Sequence, residues 1–316
     1  STGMTASAAP PRMTGAAVMP VEILRHAGVS CGVTADGEAV FPRILGRIAA
    51  GEPLYGLPGV ALLEQNRVAF AQGANDGVAT CGAPDFHRWV DLGTYRAHLA
   101  TVPVQTKLGC AFRCVYCTYR RLEGGAYRLA DPAAVAEAVT RLVVAGARDV
   151  EFVDSVFNAP REHALGLCEA LARTDHRARL QSLALNPAFF DDELVAAMER
   201  AGFVGMGITA ESASDPVLEG LGKGFSAAQV HAAAGVVRRS RIPCAWIFLL
   251  GGPGETRETV GETLRFAASV VRRQDVAFFN VGVRIYPGTE LEAIARRQGL
   301  LTVPPEGMLR PVFYVS

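Results

Sequence analysis

The sequence has no excess of charge of either sign: 31 Lys and Arg offset 31 Asp and Glu, so the formal net charge is zero at pH 7. That removes the long-range field with which basic proteins gather nucleic acid or anionic membrane, and any charged substrate has to be held by a local pocket. A long apolar run is also missing. No uninterrupted stretch approaches the about 18 residues that span a bilayer, and the N-terminus has no charged start followed by an apolar segment. The expectation is a cytoplasmic chain with no membrane and no nucleic-acid partner. There is no disulfide framework either: the cysteines number seven, an odd count, and Cys31, Cys81, Cys168 and Cys244 lie far apart without regular spacing. A reducing compartment is the simpler reading, and it keeps the remaining cysteines as thiolates. No histidine sits in an acid–base motif, since His163 and His231 fall within helical patterns as surface or packing residues.

What is present is a chain of 316 residues, half of them hydrophobic, which fits roughly two domains or one large α/β domain. Residues 1–19, small, polar and Pro-bearing, read as an ill-ordered lead or an added remnant. From Pro20 to Gly51 apolar residues at helical spacing (Ile23, Leu24, then Phe41, Ile44, Leu45, Ile48) predict two helices with a short strand between them. Residues 52–100, punctuated by Gly, Pro, Asn and Asp, predict a hairpin and a connector. From Val102 a unit repeats. "DPAAVAEAVTRLVVAGARD", with Asp131 as N-cap, Pro132 at the first helical position and Gly146 past the end, runs into the strand "VEFVD". Amphipathic helices then alternate with "LQSLAL", "GMGITA", "CAWIFLL" and "VAFFNVGVRI". With "VPVQTKL" as the first strand, about six β/α units follow, too few for a closed barrel of eight and enough for a curved partial one. In such folds the chemistry lies beyond the C-terminal ends of the strands.

Cys110, Cys114 and Cys117 follow the first of these strands, in "KLGCAFRCVYCTYRR". Thiolates are the usual ligands of iron–sulfur clusters, and a cubane takes one per iron, so three cysteines leave one iron open. Two other readings stand beside this one. A structural zinc site would recruit a fourth ligand such as His98 or Cys81. Buried inert thiols are the remaining alternative, although a loop rich in Arg and Gly is not core filler.

The CxxxCxxC spacing, with the aromatic Tyr116 before the last Cys, resembles the signature of the radical S-adenosylmethionine (SAM) superfamily. The resemblance extends over about residues 102–290. It implies an α/β fold with a partial (β/α)6 TIM-like barrel, and a 4Fe-4S cluster on Cys110, Cys114 and Cys117 whose open iron chelates SAM. An electron from the cluster would then break a carbon–sulfur bond to give a 5′-deoxyadenosyl radical. By the same resemblance Tyr116 belongs to the cofactor site, and Asp154 and Ser155 in "DSVFNAP" occupy the place that holds the methionyl amino group, though the family's Gly-Gly pair is absent; a helix cap or loop hydrogen bond is the other use of Asp154. Asn186 in "LNP" reaches SAM or caps the turn before Pro187. Glu211 and Ser212 in "GITAES" correspond to residues for the ribose hydroxyls and nearby groups, and Lys223 to the basic residue for the SAM carboxylate. Leu249 to Gly251, in "FLLGGPGETRET", correspond to the adenine contact, with Thr256 as cap of the next helix. Arg284 and Tyr286, at the end of the sixth strand, face the substrate or plug the rim.

The N-terminal stretch, with Pro20 to Leu24, Asp36 to Glu38 and Gly56 to Gly59 as matching points, resembles the closing segment of the cobalamin-binding Rossmann-type domain found in one large class of the superfamily, of class B methyltransferase-like enzymes. "YCTYRRLEGG" and "DSVFN" look like that class too. The remainder of such a domain does not occur in the sequence. The resemblance implies a lead at 1–19, an N-terminal α/β segment at 20–100, a core barrel at 101–290 and the start of a C-terminal extension at 291–316. It implies a cobalamin-dependent methyltransferase acting on an unactivated carbon of a small molecule, served by an electron donor such as flavodoxin or ferredoxin. Without cobalamin, it implies an oxidoreductase or isomerase. The third alternative is a zinc-stabilised, non-catalytic binding module.

Overall fold

A computed structural model of the chain describes residues 17–34, 37–64, 67–70 and 85–316. Most of the lead, the Asp36 matching point and Cys81 lie outside the described residues. The N-terminal part carries α1 (Pro20–Ala27), β1 (Cys31–Val33), α2 (Gly37–Ala50), β2 (Val60–Glu64), β3 (Arg67–Phe70) and α3 (Leu92–Ala97). Strands β1, β2 and β3 form an antiparallel sheet, with Gly32 opposite Ala61 and Leu62 opposite Ala69. Val40 and Ile44 of α2 pack with Leu57 and Val60 in a small cluster of their own. The other apolar residues of that helix, Phe41, Leu45 and Ile48, are exposed, so only one edge of the predicted stripe is buried.

The central sheet has six parallel strands: β4 (Val102–Val104), β7 (Asp149–Phe152), β8 (Arg179–Leu185), β9 (Phe203–Glu211), β10 (Cys244–Leu250) and β11 (Val276–Val281). The short strands β5 (Lys107–Leu108) and β6 (Arg128–Leu129) pair outside it. The order is β11-β10-β9-β8-β7-β4, each strand beside its successor, as in a partial TIM-like barrel. Helices α5 (Pro132–Val144), α6 (Arg161–Ala172), α7 (Asp192–Arg200), α9 (Ala227–Arg239) and α10 (Arg257–Val270) return the chain between strands, with the short α4 (Tyr119–Glu123) and α8 (Asp215–Gly220) on the loops. In α5, Asp131 accepts from the Ala134 N–H at 2.9 Å, Pro132 opens the helix, and Val135, Val139 and Leu142 form the buried face. Each such apolar side chain, fully buried, contributes about 1.5–3 kcal/mol. No helix among the described residues is long and apolar enough to cross a membrane.

Two of the expected strands are broken, each for a visible reason. "VAFFNVGVRI" splits at Gly282, whose φ of +86° turns the chain; its N–H donates to the Leu250 carbonyl at 2.8 Å. Beyond that turn β12 (Val283–Ile285) leaves the barrel sheet to pair antiparallel with β13 (Val312–Tyr314). "VPVQTKL" stops at Val104, because the next amides are taken by a carboxylate. Helix α11 (Glu290–Arg297) and β13 pack with Val217 and Leu221 against the barrel's mouth.

Candidate functional site

After β4, Oδ1 of Asp154 accepts from the backbone N–H of Thr106 (2.7 Å) and Lys107 (3.2 Å), and Oδ2 accepts from the Thr106 hydroxyl (2.6 Å) and the Lys107 ammonium (3.1 Å). Lys107 also donates to the Phe157 carbonyl at 2.7 Å. Both side chains are without solvent exposure. Charges this deep are tolerated only when paired and hydrogen-bonded, and this network meets that condition. It redirects the chain into the β5–β6 ladder, with Lys107 opposite Leu129 and Leu108 opposite Arg128. Gly109 then passes so close to the facing chain that a Cβ would lie 2.0 Å from the Ala126 carbonyl oxygen, so no other residue fits.

The cysteine loop leaves this hairpin. Cys110 N–H donates to the Gly124 carbonyl at 3.1 Å, and Glu123 accepts from the Gly109 N–H. Val115 donates to Leu221 at 3.0 Å and accepts from Leu291 N–H at 2.9 Å, so the loop is clamped between the end of α8 and the start of α11. Cys110 is buried, and Cys114 and Cys117 are half-buried. The thiols are within range of one another's charge: Cys110 acts on both Cys114 and Cys117. Burial pushes the Cys114 thiol up, and pushes Cys117 up to about 11, in both cases against the Lys223 charge. Thiols held in this way ionise when a cationic centre draws the protons off, which is how metal binding couples to proton release. Among the described residues no group of three or more His, Cys, Asp or Glu can hold a metal ion. A cubane takes its thiolates one per iron and needs no convergence on a single ion position. The donor set fits the cluster.

Across from the loop, Glu211 ends β9 with φ +60°, a left-handed conformation that is strained for a side chain with a Cβ. The pairing of β9 with β10 slips just before it, from Ile247 opposite Thr209 to Phe248 opposite Glu211. This bulge re-aims the carboxylate. Glu211 Oε1 accepts from the Tyr116 hydroxyl at 2.9 Å and the Lys223 ammonium at 2.8 Å, while Lys223 also donates to the Tyr116 oxygen at 3.0 Å. Glu211 and Lys223 are both buried. Burial works against the Lys223 ammonium, but Glu211, Tyr116 and Cys114 outweigh it and hold its pKa well above the usual lysine range. Burial, then the Glu211 carboxylate, keep Tyr116 protonated. The structure therefore brings Tyr116, Glu211 and Lys223 together beside Cys114.

The other residues singled out in the sequence stand at strand ends with definite partners. The Ser155 hydroxyl donates to the Gly109 carbonyl at 3.2 Å. Asn186 caps the turn after β8, its side chain accepting from Ala188 N–H and its backbone held by Asn158. Ser212 is buried against the Thr263 hydroxyl of α10 at 2.9 Å. Leu249 packs on the cluster that contains Val283 and Leu291. The Gly251 N–H donates to Glu255 at 2.8 Å, and its carbonyl accepts from Ser316 N–H at 3.0 Å. Arg284 lies over the Tyr286 ring, 4.6 Å from its centroid. Thr256 caps α10 in a reciprocal box with Thr259.

The family model for the Radical SAM superfamily matches residues 104–267, just over half of the chain. The chain belongs to the radical SAM superfamily. Membership, together with the methyltransferases among its relatives, sets aside the non-catalytic binding module in favour of an enzyme. Among similar proteins, an uncharacterized methyltransferase of Pyrococcus horikoshii is 26% identical over 283 residues, covering 85% of this chain and 58% of that protein. A tryptophan 2-C-methyltransferase of Streptomyces laurentii is 27% identical over 197 residues, covering 58% of this chain and 33% of that protein. Among solved structures, the radical SAM methyltransferase TsrM from Kitasatospora setae, with cobalamin and a [4Fe-4S] cluster bound, aligns with a TM-score of 0.78 at 23% identity, covering 92% of this chain and 58% of that one. The cobalamin-dependent radical enzyme OxsB, with aqua-cobalamin and SAM bound, aligns with a TM-score of 0.76 at 14% identity, covering 95% and 50%. These likenesses show the shared fold, and this radical SAM chain spans 58% of the first structure and 50% of the second.

Sequence reasoning missed several residues that shape the radical SAM site. Lys107 was a signal in plain view, a lone cation inside an apolar strand pattern, which predicts a buried partner. Glu255 and Glu123, which hold the amides of Gly251 and Gly109, carried no motif. Arg121, whose guanidinium donates to the Pro287 carbonyl at 3.1 Å, and Arg120, which donates to the Ala111 carbonyl at 3.0 Å, read only as loop charge.

Proposed function

We propose that Cys110, Cys114 and Cys117 hold the 4Fe-4S cluster, that the surrounding strand ends bind SAM, and that the enzyme is a cobalamin-dependent methyltransferase acting on an unactivated carbon of a small molecule. The observation that carries this reading is the convergence of the three-cysteine loop with Lys223, Glu211 and Tyr116 at the C-terminal ends of parallel strands. When bound, the cluster supplies the electron that cleaves SAM to a carbon radical, and cobalamin supplies a methyl carrier.

The chain's own residues divide the work. Lys223, kept charged, pairs with the SAM carboxylate. Glu211, aimed by its bulge, accepts from the ribose hydroxyls, and Tyr116 keeps the carboxylate and the ammonium in register. Asp154 has both oxygens engaged by Thr106 and Lys107, so it serves SAM by fixing the turn into the cysteine loop rather than by touching the amino group. Ser155, Asn186 and Ser212 likewise hold loop backbone. Leu249 offers an apolar edge to adenine, and Glu255 fixes the Gly251 peptide beneath it. Of the segments 1–19, 20–100, 101–290 and 291–316, the second is supported by the separate apolar cluster of α2 and β2, while Met19 and Ile23 pack with Val217, Val283 and Leu291 across the other boundaries. An electron donor such as flavodoxin or ferredoxin supplies the cluster, and a small molecule rather than nucleic acid is the substrate, in keeping with the absence of net positive charge.

The test is anaerobic incubation of the cluster-loaded protein with methyl-labelled SAM, cobalamin and tryptophan, the first probe because one relative is a tryptophan 2-C-methyltransferase, and then with other aromatic amino acids. Label in a carbon–methyl product, dependent on cobalamin, is expected. Cleavage of SAM with no label transferred to any acceptor, and no corrinoid retained by the protein, would replace this reading with a radical oxidoreductase or isomerase.

A further inference from the structure

The Tyr127 hydroxyl is buried and has no hydrogen-bond partner among the described residues. A hydroxyl in that condition costs free energy, on the order of 1–3 kcal/mol, unless something accepts its proton. Its position is fixed by the hairpin. Strand β6 begins at Arg128, opposite Leu108, so Tyr127 is the residue that faces the turn from Gly109 into Cys110. The close approach of Gly109 to the Ala126 carbonyl draws the two chains together at this point. Burial holds the Tyr127 pKa up, the charge of Cys110 adds to this, and the Ala111 backbone amide opposes it as a donor toward the phenol oxygen, at a geometry short of a full hydrogen bond, so the proton of the hydroxyl itself is left without an acceptor. The group is therefore a donor without an acceptor among the described residues, placed beside the first cysteine of the trio.

We infer that the Tyr127 hydroxyl donates a hydrogen bond to the Cys110 sulfur once that sulfur is a cluster-bound thiolate, and so tunes the reduction potential of the cluster. The inference rests on the placement of the cluster given above. A neutral thiol is a weak acceptor, whereas a thiolate accepts strongly, so the bond forms on loading and is absent before it. Hydrogen bonds to ligating sulfur stabilise the reduced, more negative cluster and raise its potential. Tyr127 is a positioning and tuning residue, and an aromatic hydroxyl serves here because its rigid ring holds the donor with little rotamer freedom to lose.

The experiment compares the wild-type chain with Tyr127→Phe, both anaerobically reconstituted and assayed for iron and sulfide. Three readouts are taken: the midpoint potential from an electron paramagnetic resonance titration, the coupling of deuterium-exchangeable protons to the reduced cluster, and the melting temperature of the protein without and with its cluster. The expected result is a cluster of unchanged stoichiometry in Tyr127→Phe, with a lower midpoint potential and the loss of one exchangeable coupling. Without the cluster, the variant melts at or above the wild-type temperature, because an unpaired polar group has been removed. Tyr127→Leu serves as a second variant, expected to show the same electronic changes with an added packing loss. Equal potentials and equal exchangeable couplings in wild type and Tyr127→Phe overturn the inference while leaving the cluster assignment intact. A wild-type chain that takes up no four-iron cluster overturns both.

Discussion

The Lys107 ammonium stands 3.1 Å from the Asp154 carboxylate with neither side chain exposed to solvent, and this pair joins the start of β5, which leads into the cysteine loop, to the loop after β7. Its strength is conditional. Removing one partner leaves an uncompensated buried charge, at a cost of about 3–5 kcal/mol, whereas removing both can be far milder. Lys107→Met and Asp154→Leu are each expected to lower unfolding free energy by about that much, and the double variant by clearly less than their sum. Urea unfolding of the four proteins measures it.

A second prediction concerns Lys223. It is the buried cation beside Cys114, and its partners are Glu211 and Tyr116. If it binds the SAM carboxylate, Lys223→Ala removes a charge-assisted bond worth about 1.5–3 kcal/mol, which weakens SAM binding by about ten- to a hundredfold. Iron content stays at the wild-type level. Calorimetric titration of SAM into the cluster-loaded proteins checks this, and an unchanged Kd contradicts the assignment.

The tie between Glu255 and Gly251 leads to a third. Glu255 Oε2 accepts from the Gly251 N–H at 2.8 Å, and Oε1 accepts from the Thr259 hydroxyl at 3.1 Å. Glu255→Ala leaves that amide without its acceptor and is expected to cost about 1–3 kcal/mol of stability. Glu255→Gln, which keeps an acceptor oxygen, restores most of it. Thermal melts of both variants give the comparison.

A fourth prediction is a pH dependence. Burial holds His163 below the ordinary value of 6.5, against the Ala130 carbonyl it contacts at 3.0 Å, with Lys107 opposing the proton and Asp154 favouring it. The native state therefore binds fewer protons than the unfolded chain between its lowered pKa and about 6.5. The stability from the neutral imidazole is full above pH 6.5 and is lost as pH falls through the native value. His176, lowered by burial in the same way, adds to the slope. His163→Leu is expected to flatten the fall in melting temperature between neutral and mildly acidic pH, whatever its effect on the absolute stability. A slope identical to wild type would contradict it.

The barrel is legible in the sequence because its strands read as apolar runs, the largely buried "CAWIFLL" above all, between helices with visible caps at Asp131 and Thr256, although the edge strand β11 is exposed along most of its length. The cysteine loop is legible by its spacing. What sequence does not convey is the trading of hydrogen bonds between strand ends. Nothing in "VPVQTKL" says that the Thr106 and Lys107 amides go to Asp154, forty-odd residues away, and so the expected strand is too long. The break at Gly282 is of the same kind, since a glycine inside an apolar run is silent until β13 arrives to pair with Val283–Ile285. Asn186 reads as a SAM contact or a cap, and local chemistry, an Asn before Pro, points to the second use that the structure displays. Glu211, by contrast, is marked by its cost: a carboxylate closing a buried strand requires a polar partner, and it has Lys223 and Tyr116.

The central claim is that the three cysteines of the loop anchor a four-iron cluster with one corner left for SAM. It is tested most directly by replacing Cys110, Cys114 and Cys117 with alanine, singly and together, and by measuring iron, acid-labile sulfide and reductive SAM cleavage after anaerobic reconstitution. The expected wild-type result is about four irons and four sulfides per chain, with each single variant falling well below that and cleaving no SAM. Variants that retain full iron and sulfide and cleave SAM at the wild-type rate would contradict it.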